Sequence, residues 1–236
     1  MSTNKIGSKR KIVVLSGAGV SAESGINTFR AADGLWEGHS VTEVASPEGW
    51  FKNKELVLDF YNQRRRQLHE VKPNRAHELI AKLEINYDVV VVTQNVDDLH
   101  ERGGSSSVIH LHGELLKSKS SEAPYSIYPC YGDIKLGDKC EHGSQLRPFI
   151  VWFGESVPLL EDAAREVATA DIIIVVGTSM QVYPAASLVE FAPSDVEVFY
   201  IDPKPSINHS LASLKNLSLI KETATIGMET LYQELA

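Results

Sequence analysis

The stretch HLHGE sets His110 and His112 two residues apart, with Gly113 directly after the second. In a strand, alternation would put both imidazoles on one face. A histidine pair can begin a metal site, but without carboxylate or cysteine partners it does not make one. An imidazole at the end of a strand, with a reference pKa of ~6.5, suits a general base, and His112 is the candidate. Gln94, Asn95 and Asp97 follow another apolar run, DVVVVTQN. A third run, KIVVLS, leads into GAGVSAESGINTFR, Gly17 to Arg30. That pattern reads as strand, glycine turn and helix start. Backbone N–H groups in such a turn can receive phosphate, so Gly17, Ala18 and Gly19 point to a nucleotide pyrophosphate. The dinucleotide fingerprint would have a third glycine where Ala22 stands, and an acid roughly 20 residues on at the end of a second strand. Asp33 and Glu37 lie nearby but outside any strand pattern. A hydride-transferring dehydrogenase is therefore disfavoured.

Five β-rich runs would position these residues: KIVVLSGAG, DVVVVTQN, SVIHLHGE, DIIIVVGTS and VEVFYIDPKP. Near-continuous Val and Ile mark strands buried on both faces, as in a parallel sheet. Their polar tails fall at the carboxyl ends, where open α/β sheets bind ligands. The fold class expected is α/β, a Rossmann-like parallel sheet with helices on both faces. Two stretches break the alternation and are assigned to a smaller lobe. Residues 34–73 read as helical around PEGWFKNKELVLDFYNQRRRQLHEV, and 118–145 are polar and rich in Pro and Gly. The large lobe then takes approximately 8–33, 74–117 and 146–236 of a single domain, 1–236. GMETLYQELA closes the chain as an amphipathic helix.

In DFYNQRRRQL, Tyr61 and Arg64 stand i, i+3 on one helix face, with Leu56, Val57, Phe60 and Leu68 on its apolar side. Arg65 and Arg66 read as a solvated basic face. The 236 residues are 43% hydrophobic and 23% charged, with a net charge of −8. This argues against general nucleic-acid binding. No signal-peptide h-region and no run of about 18 apolar residues is present, so membrane insertion is not expected. Cys130 and Cys140 alone do not make a disulfide framework. The chain is expected to be cytoplasmic; its oligomeric state is not legible.

GAGVSAESGINTFR, TQNVDDLHERGG, HLHGE, VWFGE and GTSMQVYPAA, in that order, resemble the sirtuins, NAD-dependent protein deacylases. FRAADGLW and YNQRRRQL resemble the bacterial CobB-type, sirtuin-5-like branch. The resemblance implies NAD as cofactor and acyl-lysine proteins as substrates. Gly17, Ala18, Gly19, Ser21, Glu23, Ser24 and Gly25 would belong to the cofactor stretch. Phe29, Arg30 and Trp36 would belong to a loop over the reacting ribose, which needs shielding from water. Gln94, Asn95 and Asp97 would orient nicotinamide and its ribose. Gly177, Thr178 and Ser179 would hold phosphate and ribose, and Asp202 and Thr223 the adenosine end. The acyl oxygen would attack the ribose C1′ as nicotinamide leaves. His112 would then act as base on a ribose hydroxyl, giving free lysine and an O-acyl-ADP-ribose. Val151, Phe153, Gly154 and Glu155 would pair with substrate peptide as an added strand. Tyr61 and Arg64 would read an acidic acyl group, in a pocket that Ala31 and Ala32 make roomier. Activity on succinyl-lysine is expected, with malonyl, glutaryl and acetyl groups as further substrates.

Three departures accompany the resemblance. Asn27 stands where the family usually has Pro, and Asp202 where it more often has Asn. The family's four zinc cysteines are reduced to Cys130 and Cys140, with His142 nearby, while Ser118, Ser120 and Ser121 follow the HGE segment. Structural zinc wants four ligands, so no zinc is expected. Tyr125, Ile127, Tyr128 and Tyr131 are then the candidate core of that module. The alternatives are protein mono-ADP-ribosylation from the same NAD site, a non-catalytic binder and a dehydrogenase.

Overall fold

The structure is a computed structural model, and residues 9–27, 35–36 and 38–236 are described. Phe29, Arg30, Ala31 and Ala32, together with Asp33 and Glu37, lie outside the described residues. In chain order the strands are β1 (Lys11–Ser16), β2 (Leu35–Trp36), β3 (His39–Ser40), β4 (Asp88–Thr93), β5 (Val108–His110), β6 (Gly113–Ser120), β7 (Ile127–Pro129), β8 (Leu146–Ile150), β9 (Ile172–Val176), β10 (Glu197–Ile201) and β11 (Leu217–Ile220).

Six of them form one sheet in the order β11-β10-β9-β1-β4-β5, every pairing parallel. The Val and Ile runs sit where expected: all five residues of β9 are buried, as are Val89–Val92 of β4. Two apolar clusters cover the two faces. One joins Val13, Leu15, Ile173 and Val175 to Leu188 and Tyr200. The other joins Ile12, Val14, Ile172 and Ile174 to Leu79, Ile80 and Met228. Burial on both faces is what makes each strand uniformly apolar. Chain order reverses between β1 and β9, so their carboxyl ends splay into the crevice such sheets use for ligands. The edge strand β11 was not legible, because its LSLI is half exposed and too short for a clear pattern.

SVIHLHGE does not form one strand. β5 ends at His110, and Gly113, at φ 84°, starts β6 in a different sheet. A Cβ at Gly113 would lie 2.1 Å from the Phe149 carbonyl oxygen, so the break requires glycine. His110 and His112 therefore do not share a strand face. β6 pairs antiparallel with β7 and β8 in a small three-stranded sheet.

The helical stretch resolves into Val41–Val44, Pro47–Lys52 and Lys54–Glu70. Ser46 accepts from Gly49 N, and Asn53 from Leu56 N, so each of the later two starts on a side-chain cap. They pack on the small sheet through Trp50, Val57, Phe60, Tyr61, Leu68, Leu115, Ile134 and Trp152. Two expectations fail here. Tyr125, Ile127 and Tyr131 are exposed and Tyr128 is half-buried, because β7 is a short edge strand of the small sheet. Arg65 is not solvated. It is 1% exposed and donates to Leu115 O and Asn62 Oδ1, which repays part of its burial. Arg66 does stay at the surface, paired with Asp59 and Asp133. The C-terminal segment is the helix Ala224–Leu235, as expected. No helix among the described residues is long and apolar enough to cross a membrane.

Candidate active site

A cleft of about 680 Å³ lies over the carboxyl ends of β1, β4 and β9 and extends to the Lys54–Glu70 helix and the segment after β8. It collects Gly17, Ala18, Gly19, Glu23, Trp36, Tyr61, Arg64, Gln94, Asn95, Asp97 and His112 from the first half of the chain. Val151, Phe153, Gly154, Glu155, Gly177, Thr178, Ser179, Asp202 and Thr223 come from the second. Ser21, Ser24 and Gly25 do not line it.

Its floor is a buried polar network. Asn95 Nδ2 donates to Gly17 O and to Ser21 Oγ, both at 3.2 Å. Ser21 Oγ donates to Asp97 Oδ2 at 3.0 Å, and Leu99 N donates to Asp97 Oδ1 at 3.1 Å. Asn95 N donates to Thr93 Oγ1, which also accepts from Ser16 Oγ; Ser16 in turn contacts His100 Nε2 at 2.8 Å. Burial raises the Asp97 pKa, and its hydrogen bonds only partly oppose that. Ser21 thus reaches the site through Asn95 and Asp97, from behind them. Ser24 Oγ accepts from Asn74 Nδ2, and Gly25 O accepts from Gln67 Nε2, so these two acceptors are already engaged within the protein.

The two histidines of HLHGE diverge. His110 Nε2 meets Glu101 Oε1 at 2.7 Å and its Nδ1 meets Asn95 O at 3.1 Å. Burial would lower its pKa, but the Glu101 hydrogen bond and charge outweigh it, and the pKa is raised. His110 is therefore a tie between backbone and helix. His112 lines the cleft and its Nδ1 lies 3.0 Å from Gln94 O. A carbonyl only accepts, so Nδ1 holds the proton and Nε2 keeps its lone pair. Burial lowers the His112 pKa below 6.5. The ring is thus neutral at physiological pH and ready to take a proton.

The glycine turn carries less phosphate-binding capacity than its sequence implies. Gly17 N donates to Val176 O and Gly19 N to Gly177 O, leaving Ala18 N without an acceptor among the described residues. The glycines answer a different need, because a Cβ at Gly19 would lie 2.7 Å from Gly177 Cα. They let the turns after β1 and β9 touch. Glu23 lines the cleft, yet its carboxylate accepts from Thr225 N, Thr225 Oγ1 and Thr223 Oγ1. Although burial opposes it, these bonds lower its pKa, and Glu23 serves as an anionic clasp on the start of the C-terminal helix.

At the other wall, 151–155 is not a strand. Val151 N donates to His112 O, Phe153 N to Ala45 O and Glu155 N to Trp152 O. Arg147 holds Glu155 through two contacts of 2.9 Å, and Glu155 Oε2 accepts from Trp152 N. Glu155 is thereby committed to shaping its own turn. Tyr61 is fully buried and accepts from Trp152 Nε1 at 3.1 Å. Arg64 lies over the Phe60 ring at 4.9 Å, and its buried Nε has no hydrogen-bond partner among the described residues. Sequence reasoning missed Trp152, Arg147 and Asn74; their partners are distant in the chain or set by turn geometry, with no periodic signal. Among the described residues no group of three or more His, Cys, Asp or Glu could hold a metal ion.

The Sir2 family model matches residues 17–184. The chain belongs to the Sir2 family. A Helicobacter pylori (strain ATCC 700392 / 26695) protein named NAD-dependent protein deacylase is 56% identical over 226 residues, covering 96% of this chain and 97% of that one. A Bacteroides thetaiotaomicron protein of the same name is 53% identical over 232 residues, covering 96% and 98%. Among solved structures, a Sir2 homologue in complex with NAD aligns at TM-score 0.85 and 40% identity, covering 96% of this chain and 90% of that one. An ADP-ribose complex of a Sir2 homologue mutant aligns at TM-score 0.86 and 39% identity, with 96% and 92% covered. The Sir2 fold thus accounts for the six-stranded sheet and the three-stranded module, and NAD is the family's cofactor.

Proposed function

We propose that this protein is an NAD-dependent protein-lysine deacylase whose substrates include acidic acyl groups: succinyl, malonyl and glutaryl as well as acetyl. The observation that carries the reaction type is His112, held neutral with Nε2 free beside Gln94, Asn95 and Asp97. The names of the closely similar bacterial proteins support the same reading.

The donor set fits NAD: amide and hydroxyl groups at the floor, two touching glycine turns above it, and Asp202 beyond β10. When bound, NAD supplies an electrophilic ribose carbon that carries nicotinamide as leaving group. Gln94, Asn95 and Asp97 would orient the nicotinamide and its ribose. Ala18 N, in the turn that Gly17 and Gly19 shape, with Gly177, Thr178 and Ser179, would hold the phosphates and adjoining ribose. Asp202 and Thr223 would face the adenosine end. His112 Nε2 would remove a proton from a ribose hydroxyl. Val151, Phe153 and Gly154 would carry the substrate peptide mainly through backbone carbonyls, since the Val151 and Phe153 amides are engaged.

Acidic acyl recognition is supported by Arg64, half-buried at the cleft with an unspent donor, on the same cleft wall as Tyr61. The structural zinc of other sirtuins has no counterpart in this reading. Ser118 and Ser120 are buried, and Ile134, Leu115 and Leu146 belong to the apolar cluster that supports the small sheet. Metal analysis finding about one zinc per chain would overturn that part.

The test is NAD-dependent deacylation of matched acetyl- and succinyl-lysine peptides by wild type and Arg64→Met. The ratio of desuccinylation to deacetylation should fall about ten- to hundredfold in the variant. Equal loss on both peptides would make Arg64 structural. No NAD-dependent activity on either would overturn the deacylase reading.

A further inference from the structure

Resting on the acidic-acyl reading above, we propose that Trp152 is a specificity-positioning residue: its indole N–H occupies the Tyr61 oxygen and commits the Tyr61 hydroxyl as a hydrogen-bond donor to the acyl group. The argument starts from what each group can do. An indole N–H only donates, whereas a phenol has one proton and two lone pairs. At the 3.1 Å contact between Trp152 Nε1 and Tyr61 Oη, the tyrosine must therefore accept. Its proton has to point elsewhere. No hydrogen bond donated by it is found among the described residues. Tyr61 lies at the cleft wall with Arg64 but is 0% exposed, so an acyl group must displace what covers the hydroxyl before it can accept the proton. A ligand oxygen is the partner that would complete the pair.

Both rings are packed against other rings. Tyr61 meets Phe60 edge-on at 5.1 Å and Trp36 at 6.0 Å. Trp152 is 2% exposed, lies 5.7 Å from Trp50, and carries the Arg147 guanidinium 3.4 Å from its ring centroid. Arg147 is itself held by both Glu155 oxygens and donates to Ile150 O. A cation on the ring face draws electron density from the indole and strengthens its N–H as a donor. Burial separately raises the Tyr61 pKa, so the hydroxyl keeps the proton it must give. The Arg147–Glu155 pair thus acts at a distance, through Trp152, on which acyl groups the cleft accepts. A terminal carboxylate takes the Tyr61 proton and the Arg64 charge together; a methyl terminus uses neither.

Wild type, Tyr61→Phe, Trp152→Phe and the double variant would be compared on succinyl- and butyryl-lysine peptides with NAD. Butyryl has similar length and no charge. Trp152→Phe keeps a ring under Arg147 and removes the N–H. It should raise KM for the succinyl peptide about tenfold relative to the butyryl peptide, with the ratio of kcat values little changed. In the Tyr61→Phe background the same substitution should change the KM ratio less than twofold. An equal effect with and without the Tyr61 hydroxyl would mean Trp152 acts by packing, and would overturn the proposal. So would a Trp152→Phe protein with wild-type selectivity while Tyr61→Phe has lost it. If Tyr61→Phe and Arg64→Met both leave selectivity unchanged, the acidic-acyl reading itself has failed, and this proposal with it.

Should Trp152→Phe not fold, the three tryptophans allow a second readout. With the indole ¹⁵N signals assigned through Trp36→Phe and Trp50→Phe, Tyr61→Phe should move the Trp152 N–H resonance upfield and speed its exchange. An unmoved resonance would overturn the hydrogen bond.

Discussion

The floor of the cleft and the wall that carries Tyr61 and Arg64 are built on opposite principles. On the floor, Asn95, Asp97, Ser21, Thr93 and Ser16 hydrogen-bond mainly to one another and to the backbone. At the wall, Arg64 Nε and the Tyr61 proton have no partner among the described residues. The difference teaches how to separate positioning from reading. A satisfied buried network is rigid and tolerates little change. An unspent buried donor costs free energy until a ligand arrives. His112 combines both, with one nitrogen spent on Gln94 O and the other free.

The largest effect that tests this contrast is on the half-free residue. His112→Gln should lower NAD-dependent deacylation of every acyl peptide about 10²- to 10⁴-fold. A loss confined to one acyl group would move His112 from the shared chemistry to the wall of Tyr61 and Arg64. For wild type, the acid limb of kcat/KM should lie below pH 6.5, because burial disfavours the imidazolium. A limb above 6.5 would contradict the burial argument.

Behind the floor, His77 and His100 sit edge to face at 4.9 Å, both buried. Burial lowers the His77 pKa to about 4 and that of His100 well below 6.5. Both groups are depressed cationic acids, so the unfolded chain binds more protons between these values. Stability should fall as pH drops from 6.5 toward 4, by about 3 kcal/mol for His77 alone. Urea unfolding across that window would show it, and a flat profile would mean the pair is hydrated.

Ser21→Ala would take a partner from Asp97 Oδ2 and Asn95 Nδ2, costing about 1–3 kcal/mol by urea unfolding. Its catalytic effect should be equal on acetyl and succinyl peptides. A selective effect would erase the distinction between floor and wall. The smallest effect is expected at Glu23→Gln, about 0.5–1 kcal/mol, from losing charge at the start of the C-terminal helix. A large rise in KM for NAD with stability unchanged would return Glu23 to the cofactor.

Much of this was legible in the sequence because it follows from local pattern. Four buried runs read correctly as parallel strands, since burial on both faces demands continuous apolar residues, and SVIHLHGE supplied a fifth parallel strand only as far as His110. Their polar tails, Gly17 to Gly19, Gln94 to Asp97 and Gly177 to Ser179, met in one cleft because parallel strands bring their carboxyl ends to one edge. Strand alternation, by contrast, could not anticipate that the chain leaves the sheet between His110 and Gly113. Only the turn sends one imidazole to Glu101 and the other to the cleft.

What the sequence determined by itself, then, was which chemical groups the molecule owns and which edge of the sheet collects them. The tertiary structure decided which groups remain available. Gly17 and Gly19 amides, Glu23 and Glu155 all read as ligand groups, yet each found a protein partner distant in the chain or set by a turn. Arg65 and Arg64 are neighbours in one basic run, yet one is spent on Leu115 O and the other keeps a donor free. Hydrogen-bond satisfaction is a property of distances between segments, and no spacing along a single chain encodes it.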